Sequence, residues 1–233
     1  RLLPLWRQLG LRTLYLGDEA IVDTHAFSLE GRAIRKVRQS VSRLENAGYS
    51  ADLQGFAELD EQQLAELERV SRSWRDGNAE RGFAMSLDTL RREDHGDSLV
   101  VAGTDAEGRV QGFLHFVPTF GRSAVSLSLM RRDRDTPNGL TEFLIAKAIE
   151  LLRERGVDEV SLNFSVFARL IHGPRGRLQC VLARGLLAAD SYFQIERLYR
   201  FNAKFFPRWE TRYVVYERRL GLRERVIDRR DLG

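Results

Sequence analysis

Apolar and polar positions alternate along the chain with two different periods, and the longer period predicts three helices. Apolar residues recur there every three or four positions, as on the buried face of a helix. The predicted helices are Ser28–Gly48, Asp60–Asp76 and Asn138–Arg155. Ser28, Asp60 and Asn138 carry side chains that suit a helix N-cap. Gly48 and Gly156 are stop signals for the first and third helices.

The shorter period, strict alternation, predicts the strands. The predicted strands are Thr13–Asp23, Ser98–Thr104, Arg109–Pro118, Arg122–Arg131, Val157–Phe164 and Thr211–Glu217. Residues 1–12 are predicted to form a short helix, and residues 165–206 to be mostly helical. The order strand, helix, strand over residues 122–164 predicts a parallel pair with a right-handed crossover. The pattern therefore predicts an α/β fold with a mixed sheet, an antiparallel meander first and one parallel crossover later.

Small polar residues alternate with apolar ones on the two strands of the predicted parallel pair. They are Ser126 and Ser128 on the first strand and Ser161, Asn163 and Ser165 on the second. Parallel strands are usually apolar on both faces, so this pattern indicates either a polar cleft or close packing of a helix. A ligand would lie beyond the carboxyl ends of these strands. The residues collected there are Arg131, Arg132, Asn138 and Ser165.

The composition excludes several classes of protein. The chain has 233 residues, with 34 Arg, 3 Lys and a single Cys. One Cys excludes an internal disulfide framework and a thiolate-rich zinc site. The four His are far apart and lack the HExxH spacing, so no metal site is predicted. No apolar run approaches the roughly 18–20 residues of a membrane-spanning helix, and no signal peptide is present in this sequence.

The net charge of +4 conceals an uneven distribution. Residues 51–110 carry 7 basic and 14 acidic groups, whereas residues 111–233 carry 22 basic and 14 acidic groups. A basic region attracts phosphate-bearing partners, although a solvated arginine-rich surface explains the same count. The candidate phosphate contacts are Arg35, Lys36 and Arg38 in the first helix and Arg200 near the C-terminal strand.

Five short segments carry a family resemblance. They read GDEAIVD (17–23), FSLEGRAIRKVRQ (27–39), ERGF (80–83), LMRRDRDTPNG (129–139) and FNAKFFPRWETRYVVYE (201–217). The topology resembles the GNAT acyltransferase fold. The segments together resemble the cytosolic catalytic region of the multiple peptide resistance factor family, the phosphatidylglycerol lysyltransferases, in its actinobacterial branch. The resemblance covers essentially the whole chain.

The resemblance implies an activity and its partners. Members of this family transfer an aminoacyl group from charged tRNA to the hydroxyl of phosphatidylglycerol, which changes the charge of the membrane surface. It implies aminoacyl-tRNA and anionic phospholipid as partners, a membrane-embedded region in the parent protein and a place at the cytoplasmic face of the membrane. No cofactor or metal is expected, and acetyl-CoA is not expected because the GNAT pyrophosphate loop (R/Q-x-x-G-x-G/A) is missing here.

The resemblance also implies a domain division and a set of site residues. Residues 1–25 resemble the end of a preceding GNAT-like domain and residues 26–233 a complete second one. The resemblance assigns Arg131 and Lys204 to catalysis, as contacts for the oxyanion. Position at the predicted cleft selects the carboxylates: Glu142, one turn into the third helix, as general base or as a partner of the helix dipole, and Asp133 as the second choice for the base. The residues assigned to substrate binding are, from the resemblance, Arg81, Gly82, Phe83, Ser128, Tyr199, Asn202 and Arg212 and, from their position at the cleft, Arg132, Asn138, Asn163 and Ser165.

Three positions depart from the family pattern. Ser128 stands where the family's D-x-x-R pattern has Asp, and Asn202 stands where its K-x-K-F pattern has the first Lys. Tyr199 stands where many members have an Arg upstream of that pattern. These departures leave open another acceptor, another amino acid or lost activity. Two rival functions therefore remain, an acyl-CoA-dependent N-acyltransferase and a non-catalytic module that binds RNA or anionic membrane.

Overall fold

A computed structural model of the chain describes residues 2–75, 96–166 and 197–217. The helices are α1 (Leu3–Gln8), α2 (Arg35–Asn46), α3 (Glu61–Arg75) and α4 (Leu140–Glu154). The strands are β1 (Arg12–Asp23), β2 (Ser50–Gly55), β3 (Leu99–Thr104), β4 (Val110–Thr119), β5 (Ala124–Arg132), β6 (Glu159–Val166) and β7 (Arg208–Tyr216). Across these described ranges the strands follow the order β2-β3-β4-β5-β6-β1-β7. The predicted α/β fold with a mixed sheet is confirmed.

The chain divides into two compact units, and the larger one holds most of the sheet. It comprises Ala20–Asn163 and Phe201–Arg208. Strands β2 to β5 pair antiparallel in sequence order, and β5 pairs parallel with β6. The antiparallel strands β3 to β5 and the parallel crossover through α4 are therefore as the sequence predicted.

Helices α3 and α4 cover opposite faces of this sheet. Phe113 of β4 belongs to the buried apolar cluster under α3, together with Leu67 and Val70 of that helix. The preceding residue of β4, Gly112, lies against Leu144 of α4. Because neighbouring residues of a strand point to opposite faces, the two helices lie on opposite sides of β4. Helix α2 packs beside α4.

The predicted first helix begins later than its sequence suggests. Helix α2 starts at Arg35, and Ser28 does not cap it, because the Ser28 hydroxyl accepts a hydrogen bond from the Glu30 N–H at 3.1 Å. The Arg38 guanidinium donates to the carbonyl oxygens of Leu29 and Gly31, at 2.6 and 2.9 Å, and holds this segment outside the helix. The C-terminal stop is confirmed, because the residue after the last turn, Gly48, adopts a φ of +83°.

The other two predicted N-caps have opposite outcomes. Asp60 caps α3, since its carboxylate accepts the Gln63 N–H at 2.7 Å while the Gln63 side chain accepts the Asp60 N–H at 2.8 Å. Asn138 does not cap α4, because the cap residue is Gly139, with a φ of +92°. Glycine is required there for a second reason: a Cβ at Gly139 would lie 2.6 Å from the Ser40 Oγ and 2.8 Å from the Arg43 Nη2.

Some strand boundaries also differ from prediction. Strand β2 (SADLQG) was not predicted, because it is short and its alternation rests on two apolar side chains, Ala51 and Leu53. Within the described residues it lies at the edge of the sheet beside β3. Strand β6 begins at Glu159 rather than Val157, and β7 at Arg208 rather than Thr211.

The smaller unit comprises Arg1–Glu19, Phe164–Arg200 and Trp209–Gly233. In it, Tyr15 of β1 contacts Tyr213 of β7 edge to face, with ring centroids 6.1 Å apart. Of residues 165–206, predicted to be mostly helical, residues 165–166 belong to β6, residues 197–202 are helical and Ala203–Phe205 form a short 3-10 helix. Residues 167–196 lie outside the described residues. The predicted domain boundary at residue 25 stays a prediction. No helix within the described ranges is long and apolar enough to cross a membrane.

Two glycines with the same backbone conformation test the packing around Gly139. Gly108 has a φ of +78° and open space around its Cβ position, whereas the Cβ position of Gly139 is occupied by α2. Gly108→Ala is expected to lower the free energy of unfolding by about 1 kcal/mol, the cost of the left-handed backbone. Gly139→Ala is expected to lower it by about 2–4 kcal/mol, because overpacking is added to that cost. Urea denaturation of both variants checks this, and equal losses would contradict it.

Candidate active site

The parallel strands β5 and β6 pair over a short stretch and continue beyond it. Within the described residues, their registered pairing joins Ala124–Ser126 to Glu159–Ser161. Strand β5 runs on to Arg132 and β6 to Val166. The ladder therefore ends before the carboxyl ends of both strands, which is where the sequence predicts a ligand.

Two asparagines mark the point where β6 leaves the ladder. The buried side chain of Asn202 donates from its Nδ2 to the carbonyl oxygen of Leu162 at 3.1 Å. The next residue along β6, Asn163, is exposed and has a φ of +101°. Such a conformation is uncommon for a residue other than glycine, and such residues concentrate at functional sites.

Lys204 and Glu142 form an ion pair in the larger unit. The Lys204 Nζ donates to the Glu142 carboxylate at 2.7 Å and lies 5.0 Å from the centroid of the Phe201 ring. Glu142 lies in the first turn of α4, and its side chain is 19% exposed against 41% for Lys204. The structure thus brings together two of the three residues assigned to catalysis, which are 62 positions apart in the chain.

The third residue, Arg131, occupies a buried position at the end of β5. Its residue surface is 2% exposed, and its register partner on β4 is Phe113, which belongs to the apolar cluster under α3. The adjacent Arg132 points to the other face of β5, where its Nη1 donates to the Thr136 hydroxyl at 2.7 Å. The catalytic role of Arg131 stays a prediction.

Asp133, the second choice for the base, is tied into a network of donors. Its carboxylate accepts from the Ser73 hydroxyl at 2.5 Å, from the Arg69 Nη1 at 2.6 Å and from the Arg134 N–H at 2.8 Å. The hydrogen bond from Ser73 lowers the pKa of Asp133, and Arg69 lowers it further against the opposing effect of burial. These hydrogen bonds give Asp133 a structural use at the start of the loop that follows β5, and its role as the second choice for the base stays a prediction.

The remaining predicted site residues are distributed over both units. In the smaller unit Arg212 donates to Glu19 at 2.5 Å and to Glu210 at 3.0 Å, and Tyr199 stacks on Trp209 with ring centroids 4.2 Å apart. In the larger unit Ser128 is half-buried on β5, and Asn138 accepts a hydrogen bond through its carbonyl oxygen from Arg43. Arg81, Gly82, Phe83 and the side chain of Ser165 lie outside the described residues.

The predicted phosphate contacts do not form one set. Arg35 and Lys36 are exposed on α2, and Arg200 is exposed in the smaller unit. Arg38 is partly buried, and its Nη1 is engaged by two backbone carbonyls. Only the first three present an exposed cationic side chain to an external phosphate.

Sequence reasoning missed Arg43 and Arg69. Arg43 of α2 donates to the Asn138 carbonyl oxygen, and Arg69 of α3 binds Asp133. Neither has a sequence signal, because each acts on a loop that is far away in the chain.

A family model matches almost the whole chain. Residues 1–216 match the family described as phosphatidylglycerol lysyltransferase, C-terminal. The chain is 39% identical over 222 residues to the lysylphosphatidylglycerol biosynthesis bifunctional protein LysX of Nocardia farcinica. The aligned region covers 93% of this chain and 20% of that protein. The LysX protein of Mycobacterium tuberculosis strain H37Rv is 39% identical to this chain over 220 residues. That alignment covers 91% of this chain and 18% of the LysX protein. The chain therefore spans about a fifth of the length of these curated relatives.

Two solved structures share the fold. L-PGS from Bacillus licheniformis superposes with a TM-score of 0.74 at 22% identity and covers 97% of this chain and 68% of that one. The C-terminal domain of a putative lysylphosphatidylglycerol synthetase from Agrobacterium fabrum superposes with a TM-score of 0.72 at 25% identity, with 99% and 68% covered.

The lowered pKa of Asp133 predicts a specific pH dependence of stability. Because this pKa is lower in the folded chain than in the unfolded one, the carboxylate stabilises the fold above its unfolded pKa of about 3.9. That contribution is lost as the pH falls through the folded pKa. Asp133→Asn is expected to cost about 1–3 kcal/mol at pH 7 and to flatten the loss of stability below about pH 4.

Urea denaturation from pH 7 to pH 2 measures both effects. Asp52→Asn, on the exposed side of β2, is the matched control and is expected to keep the wild-type profile. A profile of Asp133→Asn parallel to the wild type would contradict the assignment.

Proposed function

We propose that this chain, which belongs to the phosphatidylglycerol lysyltransferase family through the C-terminal region of those proteins, is an aminoacyltransferase. It moves lysine or a similar amino acid from aminoacyl-tRNA to the hydroxyl of phosphatidylglycerol or a related hydroxyl or amine acceptor. The observation that carries the proposal is the Lys204–Glu142 pair, in which Lys204 stands on the family's K-x-K-F pattern. The names of the relatives, which concern lysylphosphatidylglycerol biosynthesis, support the choice of substrate.

The reaction needs little covalent help from the protein. The aminoacyl ester of tRNA is already activated, so the acceptor oxygen attacks the ester carbonyl carbon and the tRNA hydroxyl leaves. The proton of the acceptor is removed as the new bond forms and is returned to the leaving tRNA oxygen. The main tasks are to position the two substrates and to stabilise the negative charge on the carbonyl oxygen.

Lys204 and Glu142 suit the two chemical roles. The Lys204 ammonium donates to the developing oxyanion, a contact worth about 10²–10³ in rate for donors of this kind. Glu142 accepts the proton of the acceptor and delivers it to the leaving oxygen, which is general base and then general acid catalysis. Their 2.7 Å contact places the donor for the oxyanion beside the acceptor for the proton, so one bound substrate pair can meet both groups.

Three exposed cations supply a means of binding phosphate. Arg35, Lys36 and Arg200 are the exposed cations proposed to meet phosphates of tRNA or lipid. A place at the cytoplasmic face of the membrane, next to a membrane-embedded region of the parent protein, follows from a lipid acceptor and a tRNA donor. No cofactor is required, since the energy of transfer is stored in the aminoacyl ester.

Substitution of the ion pair tests the proposed chemistry. Lys204→Met and Glu142→Gln are each expected to lower kcat/KM by about 10²–10³, because each removes one role in the transition state. Arg72→Met, an exposed cation on α3, is the control and is expected to leave the rate unchanged. The assay follows labelled lysine from charged tRNA into phosphatidylglycerol vesicles by lipid extraction, with a parallel reaction that contains labelled acetyl-CoA.

The assay also separates the rival functions. Label from acetyl-CoA in an acceptor amine would replace the proposal with an N-acyltransferase. Retained tRNA or lipid binding without any transfer would replace it with a binding module.

The exposed cations of α2, Arg35 and Lys36, and its Arg38, which binds two backbone carbonyls, are expected to affect the salt dependence of tRNA binding differently. In an Arg35→Met, Lys36→Met double variant, the slope of log affinity against log salt is expected to fall by about 1.5–2, because up to two phosphate contacts are lost. Arg38→Met is expected to keep the wild-type slope and to lower the free energy of unfolding, since Arg38 donates to two carbonyls. Filter binding from 50 to 300 mM salt measures the slopes, and a wild-type affinity independent of salt would contradict the phosphate contacts.

A further inference from the structure

The loop between β5 and α4, residues 133–138, is held at its start by helix α3. The Asp133 carboxylate accepts hydrogen bonds from Arg69 and Ser73, while the Asp133 N–H donates to the Gln111 carbonyl oxygen at 2.8 Å. Arg69 also donates to the Val110 carbonyl oxygen at 2.5 Å. The start of the loop is thereby fixed to both α3 and β4.

The interior of the loop is braced by its own side chains. The Thr136 hydroxyl donates to the Asp133 carbonyl oxygen at 2.9 Å and accepts from the Arg132 Nη1 at 2.7 Å. A loop with a fixed start and an internal brace has little freedom of its own. Its remaining freedom lies at its end, where it enters α4.

Arg43 of α2 holds this end. Its Nη2 donates to the Asn138 carbonyl oxygen, directly before the cap residue Gly139. Ser40, three positions earlier and therefore on the same face of α2, lies against Gly139 as well. The helix comes this close only because Gly139 has no side chain.

The position of Glu142 follows from this contact. The first turn of α4 begins at Gly139, whose carbonyl oxygen accepts the Phe143 N–H at 2.9 Å, and Glu142 lies in that turn. We propose that Arg43 is a positioning residue: by fixing the Asn138–Gly139 peptide, it holds the first turn of α4 where Glu142 meets Lys204. Its importance for catalysis rests on the proposed function, whereas its effect on the geometry does not.

The rest of α4 is secured independently, so the loss of Arg43 acts locally. Phe143, Leu144 and Ile145 are buried, and farther along the helix Lys147 contacts Glu45 of α2 at 2.6 Å. These contacts keep α4 folded and packed when the hydrogen bond to Asn138 is removed. The expected consequence is a looser first turn, not an unfolded helix.

Lysine chemistry provides a direct readout of the Lys204–Glu142 pair. The chain has 3 lysines, Lys36, Lys147 and Lys204, so labelling with an amine-reactive ester followed by peptide mass spectrometry resolves each one. The labelling rate of Lys204 relative to the exposed Lys36 is expected to rise about two- to fivefold in Glu142→Gln, the range for a partly exposed ion pair. Arg43→Met is expected to produce a rise of the same size although Arg43 is not the partner of Lys204.

Two further variants complete the test. Arg43→Lys keeps a donor for the Asn138 carbonyl oxygen and is expected to restore the wild-type labelling of Lys204. Arg72→Met removes a cation elsewhere and is expected to change nothing. A rise in Glu142→Gln without one in Arg43→Met would overturn the proposal, and so would the absence of a rise in both.

A kinetic cycle distinguishes positioning from a general loss of stability. Arg43→Met is expected to lower kcat about tenfold with little change in KM. The double variant Arg43→Met, Glu142→Gln is expected to be no slower than Glu142→Gln within about twofold, because Arg43 acts through Glu142. Additive losses in kcat would overturn the proposal. If the wild type transfers no lysine, the proposed function fails and the labelling result still decides the role of Arg43.

Discussion

The burial of α4 against the sheet is the constraint on which the rest of the larger unit depends. Gly103 of β3 and Gly112 of β4 are register partners, and both lie beneath Leu144. A Cβ at Gly103 would lie 2.6 Å from a methyl group of Leu144, so the helix approaches the sheet more closely than any side chain there would allow. Each large apolar side chain buried in this way contributes about 1.5–3 kcal/mol. The position of α4 determines where its first turn, and with it Glu142, can lie.

Arginine side chains then fix the segments that surround this helix. Arg38 donates to carbonyls ahead of α2, Arg43 to the carbonyl ahead of the α4 cap, and Arg69 to a carbonyl of β4 and to Asp133. A planar guanidinium with several donors can serve two acceptors at once, which an ammonium does less well. The 34 arginines of the chain are therefore not all available to bind phosphate. Some of the positive charge that suggests a polyanionic partner serves to organise loops.

The same arginines explain which features the sequence could predict. Asp60 was correctly predicted as a cap because its partners, the N–H and the side chain of Gln63, lie three residues away. Ser28 and Asn138 were wrong as caps because Arg38 and Arg43 decide the conformation at those points, and their contacts are set by folding rather than by local pattern. Alternation located β3, β4 and β5, since it indicates burial of one face, whereas the alternation of β2 rests on two apolar side chains only and was too weak to predict a strand.

Within the candidate site, chemistry was predictable and geometry was not. Motif resemblance selected Lys204, and position in the first turn of a helix selected Glu142. That their side chains meet depends on a contact between residues 62 positions apart. Arg131 was selected by the same resemblance, yet the alternation of β5 places it with the apolar residues under α3. The strand pattern already contained this result, because Arg131 follows Leu129, a member of that cluster, at an interval of two.

The two departures from the family pattern that fall on the larger unit remove opposite charges. Ser128 stands where the pattern has a carboxylate and Asn202 where it has an ammonium, so the two departures together leave the net charge of the chain unchanged. At position 202 the neutral side chain has a definite use, since it is buried and its amide donates to the Leu162 carbonyl oxygen where β6 leaves the ladder. An ammonium buried there would need a compensating carboxylate. The exposed position of the motif differs, because Lys204 keeps its ammonium and finds that carboxylate in Glu142.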